Sequence, residues 1–274
     1  MFSPIGVTAF SVFVIGNGAL EVQLIAGKLA TQSGYTCSIV TKSDDAFNRN
    51  CRNLMYGRPS KDKDEEALPE GPFLVSEGDE IGSALEAANG IIIVSEDQAL
   101  EKNKIDTILS SASENLRHVC FLSQMGRGFS STEEYLKSKC DSMPGGPVAL
   151  SIVRAGILKG GGPGKIEGKE FGLHKFFYDN NADLPGVMNI MASDQFTLGA
   201  KVSKGDPFSK PNIFQKFKSN SSFEPANAET GRIAAAQALL IALQRETGID
   251  ISLSTEKSLE PPTPEEWEQL LAGQ

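Results

Sequence analysis

Gly16, Asn17, Gly18, Ala19 and Leu20 are the residues of this chain whose types and spacing first point to chemistry. Two glycines, one residue apart, stand between the apolar run Phe10–Ile15 and a helical pattern carrying Leu20, Leu24, Ile25 and Leu29 on one face. A turn without side chains lets backbone N–H groups approach an anion closely, and the helix that starts there adds a partial positive charge. A second apolar run, Tyr35–Thr41, follows Gly34 and ends in Lys42, with no acid before Asp44. Strand, glycine turn, helix and strand form the first half of a βαβ unit, and its turn is where such units hold the pyrophosphate of a dinucleotide. An acid ending the second strand would suit the ribose hydroxyl of NAD; Lys42, beside the hydroxyls of Thr41 and Ser43, suits the 2′-phosphate of NADP. Glu21 competes with an anion for the positive end of the helix, and no third glycine stands near position 21 or 22. An empty or altered turn is therefore the alternative reading.

The elements that would position this turn alternate along the chain. After a short helix around 46–55 and the charged stretch 60–71 come a strand at Phe73–Ser76, a helix at Ile81–Ala88 and the β-branched run Ile91–Val94. A helix bearing Ile105, Ile108 and Leu109, a strand at His118–Leu122, a short helix at Glu133–Cys140 and a strand at Val148–Val153 follow. Apolar runs of this length, alternating with helices, predict a doubly wound, mainly parallel α/β sheet. The spacing suggests a binding domain over residues 1–158 and a C-terminal part over 159–274. In the latter, Gly160, Gly161, Gly162 and Gly164 read as a linker or a loop over the ligand edge. Residues 170–223 read as an irregular, lysine-biased lobe, a partner surface or plain edge structure. A helix at Asn227–Glu246, a strand at Ile249–Leu253 and a terminal helix anchored by Trp267 then complete the fold.

Composition narrows the classes. A net charge of −9 argues against a general nucleic-acid binder, and no apolar stretch approaches membrane-spanning length. Cys37, Cys51, Cys120 and Cys140 lack metal-ligand spacing and read as free thiols, two of them in buried strands. His118 and His174 have no partner cluster, so no metal site is expected. The opening MFSPIG reads as neither a signal peptide nor a basic transit peptide.

Several pieces, in order, resemble the atypical, NmrA-like branch of the short-chain dehydrogenase/reductase superfamily: the 16–42 unit, LVSEGDEIGSALEAANGIIIVSE, LRHVCFLSQMG, EEYLKSKCDSMPGGPVALSIVRAG and Thr230-Gly231-Arg232-Ile233-Ala234. The likeness covers most of residues 10–158 and returns near 227–272. It implies a Rossmann-like sheet that binds NADP(H), with Asp79 near the adenine ring and Ser95, at the end of the fourth strand, in the cofactor-binding set. It also implies a place for a catalytic set of a serine that polarises a carbonyl and a tyrosine whose phenol moves a proton with help from a lysine; Ser123, Tyr135 and Lys139 match these types. Tyr135 lies only nineteen residues before Arg154, so an ordinary helix pair is the competing reading of Tyr135 and Lys139. The tail TEKSLEPPTPEEWEQLL resembles plastid members, implying a stromal location, with the cytoplasm as the alternative. Three functions remain open: a redox-sensing or assembly protein that binds NADP(H) with weak or no catalysis, an NADPH-dependent reductase of a small carbonyl or unsaturated substrate, and a nucleotide-free subunit of a larger protein complex.

Overall fold

The computed structural model describes residues 10–17, 20–41, 45–58, 71–76, 79–96, 98–126, 129–162, 164–166, 169–174, 198–207 and 228–272. The first unit is β1 (Ser11–Asn17), α1 (Leu20–Gln32) and β2 (Thr36–Thr41), followed by α2 (Asp45–Tyr56), β3 (Phe73–Ser76), α3 (Asp79–Glu86) and β4 (Gly90–Ser95). Then come α4 (Lys102–Ser111), β5 (His118–Gln124), α5 (Ser130–Asp141) and β6 (Ala149–Ala155). Short strands β7 (Ile157–Lys159), β8 (Gly164–Ile166) and β9 (Lys169–Phe171) lead to β10 (Gly199–Lys204) and β11 (Glu229–Gly231). The chain closes with α6 (Arg232–Leu243), β12 (Asp250–Glu256) and α7 (Pro264–Leu271).

Eight strands form one sheet in the order β10-β12-β6-β5-β4-β1-β2-β3. Every pairing in it is parallel except that of the edge strand β10, which runs antiparallel to β12. The expectation of a doubly wound, mainly parallel sheet holds, and the irregular stretch 170–223 contributes an antiparallel edge strand to it. Residues 175–197 and 208–227 of that stretch lie outside the described residues.

Alternation along the strands builds two cores. Val12, Val14, Ile92, Val94, Cys120, Leu122 and Val153 face α1 and α6. Phe13, Ile91, Ile93, Val119 and Phe121 face α3, α4 and α5. The central strands, buried on both faces, therefore read in the sequence as unbroken apolar runs. The alanine-rich α6 is buried almost all round and packs beside α1. Trp267 of α7 is buried in the same layer, and a capping box of Thr263 and Glu266 fixes that helix's start.

The described part of the glycine loop after β7, Gly160–Gly162, is packed into the fold rather than strung out as a free linker. Gly160, Gly161 and Gly162 are buried, and Leu173 N–H donates to the Gly161 carbonyl at 2.7 Å. A Cβ on Gly162 would stand 2.5 Å from the Leu173 carbonyl oxygen, so only glycine permits this approach. The segment continues to α2, where Lys28, fully buried in α1, donates to the carbonyls of Met55 (2.8 Å) and Gly172 (2.9 Å). A lysine buried this deeply is tolerated because carbonyl oxygens receive its ammonium.

Candidate functional site

The direction of winding reverses between β1 and β4, so the carboxyl ends of these strands flank the crevice where such sheets bind ligands. Gly16 and Asn17 close β1, in register with Val94 and Ser95 of β4. A Cβ on Gly16 would lie 2.5 Å from the Gln23 amide nitrogen and 2.7 Å from the Val94 carbonyl oxygen. Gln23, a buried polar residue of α1, thus fills the space over the first glycine of the turn. Leu20 opens α1 and Asp79 opens α3; Gly18, Ala19 and Lys42 lie outside the described residues. Thr41, buried at the end of β2, donates its hydroxyl to Asn48 Oδ1 of α2 at 2.7 Å. Its proton is thereby engaged, while its oxygen can still accept.

A polar row crosses the same edge on the α3–α5 face. By alternation, Asn17, Ser95, Ser123 and Arg154 point to that side, and Ser123 pairs in register with Arg154. Ser95 is 1% exposed and its Oγ has no hydrogen-bond partner. Ser123, fully buried, donates to Glu133 Oε1 of α5 at 2.5 Å. Arg154 grips the same carboxylate with two bonds, Nε to Oε1 at 3.0 Å and one terminal nitrogen to Oε2 at 2.7 Å. Its other terminal nitrogen donates to Asp250 Oδ1 of β12. Burial works against the charge of Arg154, but the hydrogen bonds to Glu133 and Asp250 more than offset it and raise its pKa above the usual arginine value. The Ser123 hydroxyl is therefore committed to a charge-balanced carboxylate rather than aimed into the crevice.

Ser123, Tyr135 and Lys139 are not brought together. The Tyr135 hydroxyl donates to both carboxylate oxygens of Asp106 in α4, each at 2.7 Å. Lys139 Nζ pairs with the same carboxylate at 2.7 Å and lies 5.2 Å from the Tyr135 ring centre. The hydrogen bond to Asp106 raises the Tyr135 pKa, the reverse of what a proton-donating phenol needs, and also raises that of Lys139. The helix explains the placement. Thr132, Leu136 and Cys140 form the buried face of α5; Glu133 flanks it on the side of β6, and Tyr135 with Lys139 looks toward α4. The signal was in the sequence, since the apolar positions 136 and 140 fix which face meets the sheet.

On the α1 face, Glu96 follows β4 and its carbonyl accepts from Gln124 Nε2. Its carboxylate meets Arg232, the first residue of α6, at 3.4 Å. Of the three buried side-chain polar atoms without a hydrogen-bond partner among the described residues, Ser95 Oγ and Arg232 Nε belong to this edge; the third is Thr255 Oγ1 of β12. Glu133, Asp250 and the Glu96–Arg232 pair escape a motif reading because the partners that hold them are distant in sequence, and Gln23 because the turn pattern does not specify the side chain over Gly16.

At the opposite edge, His118 is buried and structural: Nδ1 faces the Arg245 carbonyl at 3.1 Å and Nε2 faces Ser151 Oγ at 2.7 Å. All four cysteines are buried and free; burial pushes Cys37 and Cys140 up to about 12 and Cys51 to about 11. Among the described residues no group of His, Cys, Asp and Glu could hold a metal, and no helix is long and apolar enough to cross a membrane.

No protein-family model matches the chain, and neither does any curated protein. Solved structures do. A reductase engineered to attenuate substrate inhibition in asymmetric catalysis is similar at a TM-score of 0.50 and 10% identity, covering 90% of this chain and 80% of its own. A UDP-N-acetylglucosamine 4-epimerase from Bacillus cereus reaches 0.45 at 10% identity (93% and 82% covered). A nucleoside-diphosphate-sugar epimerase from Pseudomonas aeruginosa reaches 0.43 at 12% (96% and 84% covered). The likeness to the reductase, with the sheet order, establishes a Rossmann-like fold.

Proposed function

We propose that the chain binds NADP(H) at the β1/β4 crevice and serves a redox-sensing, assembly or scaffold role with weak or no reductase chemistry. The observation that carries the binding is the pair of orphaned polar atoms, Ser95 Oγ and Arg232 Nε, at the one edge where the winding reverses. Buried polar groups are normally satisfied, and two unsatisfied ones at a ligand edge favour a polar ligand there. The residues present fit the group. Gly16, Asn17, Gly18, Ala19 and Leu20 would offer backbone to the pyrophosphate, and Asp79 would stand near the adenine. Thr41 and Lys42 would meet the adenosine ribose with its 2′-phosphate, and Ser95 would hydrogen-bond the cofactor at the crest of β4. Bound there, the nicotinamide would supply a hydride.

The chain's own groups argue against efficient use of that hydride. Reduction of a carbonyl needs a proton and a donor for the developing oxyanion. The Ser123 hydroxyl donates its hydrogen bond to Glu133, and the Tyr135 hydroxyl donates to Asp106. A reductase built on Ser123, Tyr135 and Lys139 would require both hydroxyls to change partner; turnover abolished in Tyr135→Phe with cofactor binding intact would support it. The nucleotide-free reading draws on Gln23, which packs over Gly16. In the reading proposed here, protein partners consume the bound state of the cofactor, and the plastid-like tail favours the stroma over the cytoplasm.

Lys42→Asp tests the assignment. Loss of NADPH binding with retained NADH binding is the expected result. NADPH affinity unchanged by the substitution would remove Lys42 from the site and the NADP preference with it.

A further inference from the structure

We propose that Arg232 is the phosphate-binding cation of this crevice, exchanging Glu96 for a phosphate of the dinucleotide on binding. The inference rests on the dinucleotide reading above and adds to it a residue far from the glycine turn, on a different helix.

The start of α6 is fixed at the ligand edge. Thr230 Oγ1 accepts from the Gly156 N–H just beyond β6, at 2.9 Å, and donates to the Leu253 carbonyl of β12 at 2.5 Å. Arg232 follows two residues later, and α6 lies beside α1 on the same face of the sheet. A Cβ on Gly161 would be 3.4 Å from Arg232 Cδ and 3.4 Å from Ile25 Cδ1, so the arginine stem runs within a methyl group's width of α1. The guanidinium is therefore held between α1, the glycine loop and the end of β4, the surroundings of the pyrophosphate in the proposed site.

Its bonding is incomplete for a side chain only 15% exposed. One terminal nitrogen donates to the Gly160 carbonyl at 2.9 Å. The other reaches Glu96 at 3.4 Å, and the buried Nε–H has no partner. Charge-assisted bonds between arginine and carboxylate close to about 2.7–2.9 Å, so this contact is loose. The fold can build a tight pair when structure alone is at stake, as Arg154 and Glu133 show with two bonds to one carboxylate. A planar fork with an unused donor, beside a carboxylate it barely engages, is matched to a bidentate oxyanion. A phosphate would take the fork more tightly than Glu96 does, and Glu96, 22% exposed, has solvent to turn to. Glu96 then acts as the competitor that the phosphate must displace.

The test is calorimetric titration of NADPH into the full chain as wild type, Arg232→Met and Glu96→Gln. Arg232→Met should weaken binding about tenfold or more, the loss of a charge-assisted bond, and reduce the salt dependence of the affinity. Glu96→Gln, which removes only the competing charge, should bind NADPH several-fold more tightly than wild type. Glu96→Gln is a near-isosteric change at a partly exposed position and decides the question even where Arg232→Met fails to fold. Wild-type affinity in Arg232→Met, or unchanged or weaker binding in Glu96→Gln, would overturn the role of Arg232 while leaving the dinucleotide site standing. No binding by any of the three proteins would overturn both.

Discussion

Glu133→Ala isolates the buried network that occupies the would-be catalytic edge. The substitution leaves the Arg154 guanidinium, its side chain 7% exposed, with only Asp250 as a counter-charge, and Asp250 is 57% exposed. It also strips the fully buried Ser123 hydroxyl of its acceptor. Breaking one side of a buried pair costs about 3–5 kcal/mol, because the remaining charge stays desolvated and uncompensated. Replacing both partners, as Glu133→Leu with Arg154→Met, should cost at least about 2 kcal/mol less than the sum of the single changes, because no orphaned charge remains. Urea unfolding followed by far-ultraviolet circular dichroism and by the fluorescence of buried Trp267 measures each value. A cost below about 1 kcal/mol for Glu133→Ala, or single costs that add to the double, would show that the network is not a buried, interdependent unit. Ser123 would then be free to turn to a substrate.

Two further expectations follow from the fold. Burial lowers the His118 pKa below its ordinary 6.5, with the bond to the Arg245 carbonyl opposing only in part. The unfolded chain therefore binds a proton that the folded chain refuses, so stability is full above pH 6.5 and falls as the pH drops below it; His118→Gln should flatten that acid limb in urea melts taken from pH 7 to 5, and an unchanged limb would count against it. Gly248→Ala would drive a Cβ to 1.9 Å from the Leu150 carbonyl oxygen and should cost about 3 kcal/mol or more. Gly82→Ala in α3 meets nothing within 4 Å and should stabilise by about 0.5–1 kcal/mol; thermal melts of the two variants shifting in the same direction would contradict this contrast.

What could be read in advance was set by local pattern. The strands Ile91–Val94 and His118–Leu122 announce themselves because a central parallel strand is buried on both faces, and the first βαβ unit because its glycines punctuate an apolar run. β10 did not, since Gly199–Lys204 is a short edge strand whose only apolar residues, Ala200 and Val202, are interleaved with Lys201 and Ser203 inside a lysine-rich stretch. Tyr135 and Lys139 share a helix face by spacing alone, but which face meets the sheet depends on Leu136 and Cys140, and their partner Asp106 comes from another helix. The Glu133–Arg154–Asp250 network joins residues 21 and 96 positions apart. It exists only once α5, β6 and β12 have packed. Gln23 over Gly16 was not legible either: the spacing shows the two glycines of the turn but not which side chain packs on the first.

Titration of the purified protein with NADPH and with NADH, read by calorimetry, tests the central claim most directly. The account predicts saturable binding to one site with NADPH preferred, accompanied by little or no turnover of carbonyl substrates. A folded protein that binds neither nucleotide would contradict it, and the glycine turn and the β1/β4 crevice would then be architecture alone.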